Sequence, residues 1–315
     1  MKKLLLLALA ALMLLTLSCA ALAEGREAPD DTLFLSDEIN ATSMYRKYDQ
    51  SFYDKDSLQP GTVVRVDYTT DVYGDPIDTW ANVYLPYGYD ESGDTRYNII
   101  YFMHGTNETQ DSFIGEARCK NAIDNMIEVG ITEPIIMVFP TYYYDYPTRS
   151  TDHQTFVQEV RKDLMPAVES AYHTYAETAD EAGFIASREH RAFSGYSQGG
   201  AVTWALLSGM IDYSKYFLPF SGSFGDCYDT LKAALDTYSE YADSFFLYMA
   251  CGNKRDLAYA DAVTVTNRIL EDKAFSFGLD PTSNNFYSFT GQEIHQTMQA
   301  RFYFYNAFDI LFLDE

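Results

Sequence analysis

Gly195-Tyr196-Ser197-Gln198-Gly199-Gly200 stands between a short strand-like run, Arg191-Ala192-Phe193, and a helix-forming run from Ala201 to Leu207. A Gly-x-Ser-x-Gly pentapeptide in that setting reads as strand, sharp turn, helix. The turn forces the serine into a strained backbone conformation that lifts its hydroxyl above the sheet, and the flanking glycines let strand and helix close on each other. A serine so placed can attack a carbonyl carbon, provided a general base lies within hydrogen-bond reach to take its proton.

The chain has five histidines. Where a serine occupies such a turn, its partners follow in the order serine, acid, histidine, which excludes His104, His153, His173 and His190 as the base and leaves His295. His295 ends the loop-like Thr290-Gly291-Gln292-Glu293-Ile294 and precedes a run with Met298, Phe302, Phe304, Phe308, Leu311 and Phe312, read as a closing apolar helix. The orienting acid should follow a buried strand. Ser244 to Cys251 is a short apolar run bounded by Gly252-Asn253, and Asp256 falls just past it, at the edge of the sheet where open α/β folds assemble their sites. Asp226, after the run Tyr216 to Phe220, competes for the same role. Two backbone N–H groups should meet the developing oxyanion: that of Gln198, the residue after the serine, and one from the loop His104-Gly105-Thr106 that ends the strand Asn98 to Met103, with Thr106 the expected donor.

These segments resemble the family of esterase D, the enterochelin esterases and the feruloyl and acetylxylan esterases of carbohydrate esterase family one. The resemblance is carried by Asn82-Val83-Tyr84-Leu85-Pro86-Tyr87-Gly88-Tyr89-Asp90, by the strand into His104-Gly105, by Arg191 to Ser197, by Gly252-Asn253-Lys254-Arg255-Asp256-Leu257 and by His295 ahead of an aromatic helix. It spans roughly Thr62 to Phe312. Ser187-Arg188-Glu189-His190-Arg191 is similar to the feruloyl esterase modules of xylan-degrading bacteria. The resemblance implies an α/β-hydrolase fold and hydrolysis of feruloyl or acetyl esters on xylan, with no cofactor and no metal. Two positions depart from the pattern: Gln198 stands where the family commonly has methionine, and Gly105-Thr106-Asn107 replaces a glycine-rich loop.

The elements that must position these residues are legible as alternating strands and helices from Thr62 onward, a mostly parallel sheet covered on both faces. Ile135 to Phe139 reads as another buried strand. Phe156 to Tyr175, with Val157, Val160, Leu164, Val168 and Tyr172 at helical spacing, reads as a helix packed on one face. Trp80 is assigned to an early strand and Trp204 to the helix after Ser197, both as core residues. Tyr142, Tyr143 and Tyr144 follow the Ile135 strand at its carboxyl end and are candidate stacking surfaces for a phenolic acyl group or a sugar face. The alternative for them is loop packing.

Lys2-Lys3, an apolar run from Leu4 to Leu17 and Ala21-Leu22-Ala23 have the form of a secretory signal peptide cleaved after Ala23, too short for a comfortable membrane span. Cys19 offers a lipid-attachment alternative. Residues 24–59 are expected to form a polar extension wrapping one esterase domain, 60–315. Cleavage would shift the net charge from −24 to −26, since residues 1–23 hold two lysines and no acid. Such a field opposes nucleic acid and anionic membranes and suits a neutral polysaccharide. Of the remaining Cys119, Cys227 and Cys251, an odd number, the second and third either pair or stay as buried thiols, and none has zinc or redox spacing. The oligomeric state is not legible. The rival functions are another esterase, a peptidase or an acyltransferase on the same scaffold, or a carbohydrate-binding protein without catalysis.

Overall fold

The computed structural model describes residues 50–142, 152–290 and 294–312. Among these residues eight strands form one sheet: β1 Thr62–Thr70, β2 Ile77–Leu85, β3 Asn98–Met103, β4 Ile135–Phe139, β5 Arg191–Tyr196, β6 Tyr216–Phe220, β7 Phe246–Cys251 and β8 Phe286–Thr290. Their spatial order is β1-β2-β4-β3-β5-β6-β7-β8. β2 is antiparallel to both its neighbours, and every pair from β4 to β8 is parallel. The serine and acid turns therefore leave the sheet along one carboxyl edge, beside the loop that follows β3.

Strand periodicity divides the core into two layers. Ile99, Tyr101 and Met103 of β3 face one layer, while Ile100 and Phe102 face the other. The first layer is closed by α2 His153–Glu159 with its continuation through Glu169, α3 Gln198–Met210, α4 Cys227–Thr237 and α5 Tyr259–Glu271. The second is closed by α1 Cys119–Glu128 and α6 Thr297–Ala307. Strands buried on both faces account for the unbroken apolar runs in β3, β4 and β7. This is the α/β-hydrolase fold expected from the sequence.

The segment expected as a helix from Phe156 to Tyr175 ends earlier, at Glu169, and passes through a wider turn at Val160–Leu164. Polar bonds terminate it. The carboxylate of Glu169, fully buried, is held by the Arg191 guanidinium at 2.7 and 2.8 Å and by the Thr174 hydroxyl at 2.9 Å. Tyr97 N–H then donates to the His173 carbonyl at 2.9 Å, pulling the chain against the start of β3. The Arg191–Glu169 pair also anchors the first residue of β5, the strand that carries the serine turn.

Trp204 is buried with its indole N–H on Ser223 Oγ at 3.2 Å, whereas Trp80 is half-buried on β2 beneath the Arg65 guanidinium, 4.1 Å from its ring. Cys119, Cys227 and Cys251 are all buried free thiols, so the Cys227–Cys251 pairing is not formed. Of the expected extension, residues 50–59 are described: Tyr53 is wholly buried and donates to the Arg301 carbonyl at 2.6 Å. The signal-peptide segment, Cys19 and the rest of the extension lie outside the described residues. No described helix is long and apolar enough to cross a membrane.

Candidate active site

Ser197 occupies the turn between β5 and α3 with φ 56° and ψ −116°, a conformation a non-glycine residue adopts only when its surroundings impose it. The surroundings are tight. A Cβ on Gly195 would lie 2.4 Å from the Gly199 carbonyl oxygen, and one on Gly199 would lie 2.1 Å from that of Met103. Only glycines let β5, α3 and the end of β3 meet this closely, and Ser197 N–H is held by the Phe220 carbonyl at 2.9 Å.

The elbow presents Ser197 Oγ to His295 Nε2 at 2.8 Å, and His295 Nδ1 meets Asp256 Oδ1 at 2.7 Å. Three residues from three separate loops thus form one continuous hydrogen-bonded line. A carboxylate only accepts, so His295 Nδ1 carries the hydrogen and Nε2 is left to accept the serine proton.

Asp256 is buried, and its second oxygen accepts from Ser221 Oγ at 2.7 Å and Gly252 N–H at 2.8 Å, while Ala258 N–H reaches Oδ1 at 2.9 Å. Burial by itself would raise the carboxyl pKa. The hydrogen bonds from His295, Ser221 and Ala258 outweigh it and hold Asp256 below the ordinary carboxylate value, hence ionised. Asp226, the competing acid, instead caps α4 and pairs with Arg268 on the surface. Ser221 was not singled out by its sequence context. Its place directly after β6 is the only signal, and its φ of 46° turns its hydroxyl toward the acid.

Gln198 is the first residue of α3, where backbone N–H groups point out of the helix end. Thr106 N–H has no acceptor among the described residues, and its hydroxyl donates to Gln198 Oε1 at 2.9 Å, so the two expected donors are tied together. His104 lies beneath them. Its Nδ1 donates to the Gly105 carbonyl at 2.9 Å and Nε2 accepts from Thr141 Oγ1 at 2.9 Å, and burial depresses its pKa to about 4, so it is neutral at pH 7.

Of the two readings of Tyr142, stacking surface or loop packing, its position fits the second. It is buried, its ring stacks on His104 at 4.6 Å and its hydroxyl donates to the His104 carbonyl, so it supports the loop from below and leaves no open face for a substrate. Tyr143 and Tyr144 lie outside the described residues. Among the described residues, exposed apolar side chains that follow site segments in sequence include Phe224, after β6; Leu257, next to Asp256; and Met298, three residues beyond His295. Among the described residues no group of histidine, cysteine and acidic side chains is arranged to hold a metal ion.

A sheet in this order, with a serine on a strained turn after β5 and an acid and histidine from later loops, defines the chain as an α/β-hydrolase. Residues 77–245 match the model of the esterase family described as "Putative esterase", and the chain belongs to that family. It is 34% identical over 262 residues to endo-1,4-beta-xylanase Y of Acetivibrio thermocellus, covering 81% of this chain and 23% of that one. It is 28% identical over 182 residues to an endo-1,4-beta-xylanase/feruloyl esterase of Xylanibacter ruminicola, covering 51% of this chain and 23% of the relative. The chain therefore spans about a quarter of the length of these curated relatives. Among solved structures, it superposes with a TM-score of 0.77 and 32% identity on a serine-to-alanine mutant of the feruloyl esterase module from Clostridium thermocellum complexed with sinapinate, covering 85% of this chain and 93% of the module. A ferulic acid esterase of Anaeromyces mucronatus, at 18% identity and TM-score 0.62, covering 86% of this chain and 95% of that one, shares the fold.

Proposed function

We propose that this chain is a secreted serine esterase that removes feruloyl groups, or acetyl groups, from plant cell-wall xylan. The observation that carries the reading is the unbroken line Ser197–His295–Asp256 at 2.8 and 2.7 Å. Ser197 Oγ attacks the ester carbonyl as its proton passes to His295 Nε2. Asp256 holds the imidazole in the required tautomer and stabilises the imidazolium that forms. The N–H groups of Gln198 and Thr106 take up the charge on the tetrahedral oxyanion. His295 then protonates the departing sugar hydroxyl. Water, deprotonated by the same imidazole, attacks the acyl-enzyme, and its collapse releases the carboxylic acid and free Ser197. Every proton is accounted for by His295, so the cycle needs no metal or organic cofactor.

Three features support an aromatic acyl group on a neutral sugar chain. Phe224, Leu257 and Met298, on the segments that follow β6, Asp256 and His295 in sequence, expose apolar side chains of the kind suited to a phenolic ring. The formal charge of −24 favours a neutral polymer over a polyanion. The relatives named above include xylanases and a feruloyl esterase module. The leader-like residues 1–23 support export, where that polymer is found.

The test compares the wild-type chain with Ser197→Ala on methyl ferulate, acetylated xylan and p-nitrophenyl acetate, following acid release. Ferulate or acetate release by wild type alone is the expected result. Turnover of the activated nitrophenyl ester only would keep the esterase and remove the cell-wall substrate.

A further inference from the structure

Glu108 joins two loops that an acyl-transfer site needs in fixed register. Residues Gly105 to Glu108 form a turn: Glu108 N–H donates to the Gly105 carbonyl at 3.3 Å, and Asn107 at the third position takes φ 63°, a region asparagine tolerates. The Glu108 side chain folds back across this turn. Its Oε2 accepts from Gly105 N–H at 2.7 Å, and its Oε1 accepts from the hydroxyl of Thr297, the first residue of α6 and two positions beyond His295. Both carboxylate oxygens are thus engaged, one by the loop that offers the Thr106 N–H and the other by the element that carries the histidine. One side chain therefore bonds to both segments, which lie 189 residues apart in the chain.

We propose that Glu108 is a positioning residue: it fixes the oxyanion-binding loop relative to His295, so that proton transfer from Ser197 and capture of the oxyanion occur in one geometry. The inference rests on the serine-esterase reading above. It also accounts for the loop sequence. Thr106-Asn107-Glu108 obtains its turn from a left-handed asparagine and its tie to α6 from the carboxylate clamp. Glu108 reaches protein groups on both sides, so its loss should alter the rate of chemistry and leave substrate binding nearly unchanged.

The experiment uses the full chain with p-nitrophenyl acetate, an ester whose cleavage does not depend on the natural acyl group. Glu108→Ala removes both acceptors. Glu108→Gln retains the bridge, because the amide oxygen accepts from Gly105 and the amide nitrogen donates to the Thr297 hydroxyl. Thr297→Val removes the hydroxyl alone. A misplacement near 1 Å costs about 100-fold in rate, so Glu108→Ala is expected to lower kcat by about 30- to 100-fold with KM within about twofold. Glu108→Gln should restore kcat to within about fivefold of wild type. Thr297→Val should add no further loss in the Glu108→Ala background, the signature of two groups acting through one contact. Wild-type kcat in Glu108→Ala, a loss confined to KM, or fully additive effects of the two substitutions would overturn the proposal. If Glu108→Ala does not fold, Thr297→Val and Glu108→Gln decide it: wild-type kcat in Thr297→Val, or a Glu108→Gln kcat as low as about 30-fold below wild type, overturns it. A wild-type chain that hydrolyses no ester would instead remove the esterase reading, an outcome distinct from all of these.

Discussion

Asp256 accepts four hydrogen bonds in a buried setting, and each has a separable effect. Asp256→Asn keeps the shape but presents an amide N–H to His295 or reverses the ring's tautomer; kcat should fall by three to four orders of magnitude, roughly, with the fold intact by circular dichroism. Ser221→Ala removes a hydroxyl donor to the ionised carboxylate, a bond worth about 1.5 kcal/mol or more, so a loss of about tenfold or more in kcat is expected from steady-state kinetics. Acid stability has two windows. His104 has a folded pKa of about 4 against an ordinary 6.5, so its contribution is complete above pH 6.5 and is lost as pH falls toward 4, by up to about 3 kcal/mol. Asp256, also held below its ordinary value of 3.8, contributes fully above that value and loses its share only as pH falls further. Chemical denaturation between pH 7 and 4 should therefore show a falling stability whose slope is reduced in His104→Gln. Ser197 and His295 were legible because a rare pentapeptide and chain order leave few alternatives. Whether Asp256 or Asp226 faces the imidazole is a relation carried by folding and not by spacing, and it is Asp256 that does. For Tyr142 the two readings stayed open because a tyrosine at the carboxyl edge of a strand has no sequence mark that tells an open ring from one stacked beneath a loop.

The elements were read well where burial on both faces produced continuous apolar runs, as in β3, β4 and β7, and where glycines forced a sharp turn, as at the start of α3. The helix expected to reach Tyr175 stops at Glu169 because a buried carboxylate binds Arg191 and Thr174, and a periodicity of apolar residues carries no trace of that polar stop. The elbow is the element most sensitive to volume. Gly199→Ala would drive a methyl group to 2.1 Å from the Met103 carbonyl oxygen, forcing β3 and α3 apart. A destabilisation of about 2 kcal/mol or more, with a melting temperature lower by about 5 °C and a matching loss of turnover, is expected from calorimetry. A melting temperature within a degree of wild type would show that the elbow has room the distances deny.

For the molecule as a whole, the sequence carries 46 acidic against 22 basic residues, a field that acts on whatever approaches the site. Salt should therefore raise kcat/KM for an anionic ester such as p-nitrophenyl hemisuccinate while leaving neutral p-nitrophenyl acetate unchanged, since the screening length shortens to about 10 Å at 0.1 M. Equal salt responses would mean that the charge is remote from the site. Fold class was legible at this scale because alternating strands and helices admit few architectures, but Glu108 and Thr297, 189 residues apart, acquire meaning only when the sheet brings their loops together. The central claim is that Ser197, activated by His295 and Asp256, is the nucleophile. Labelling the full chain with an active-site-directed fluorophosphonate, followed by peptide mapping, tests it most directly. A single adduct on Ser197, absent in Ser197→Ala and strongly slowed in His295→Ala, is the predicted result; an adduct on another residue, or labelling unchanged by Ser197→Ala, would contradict it.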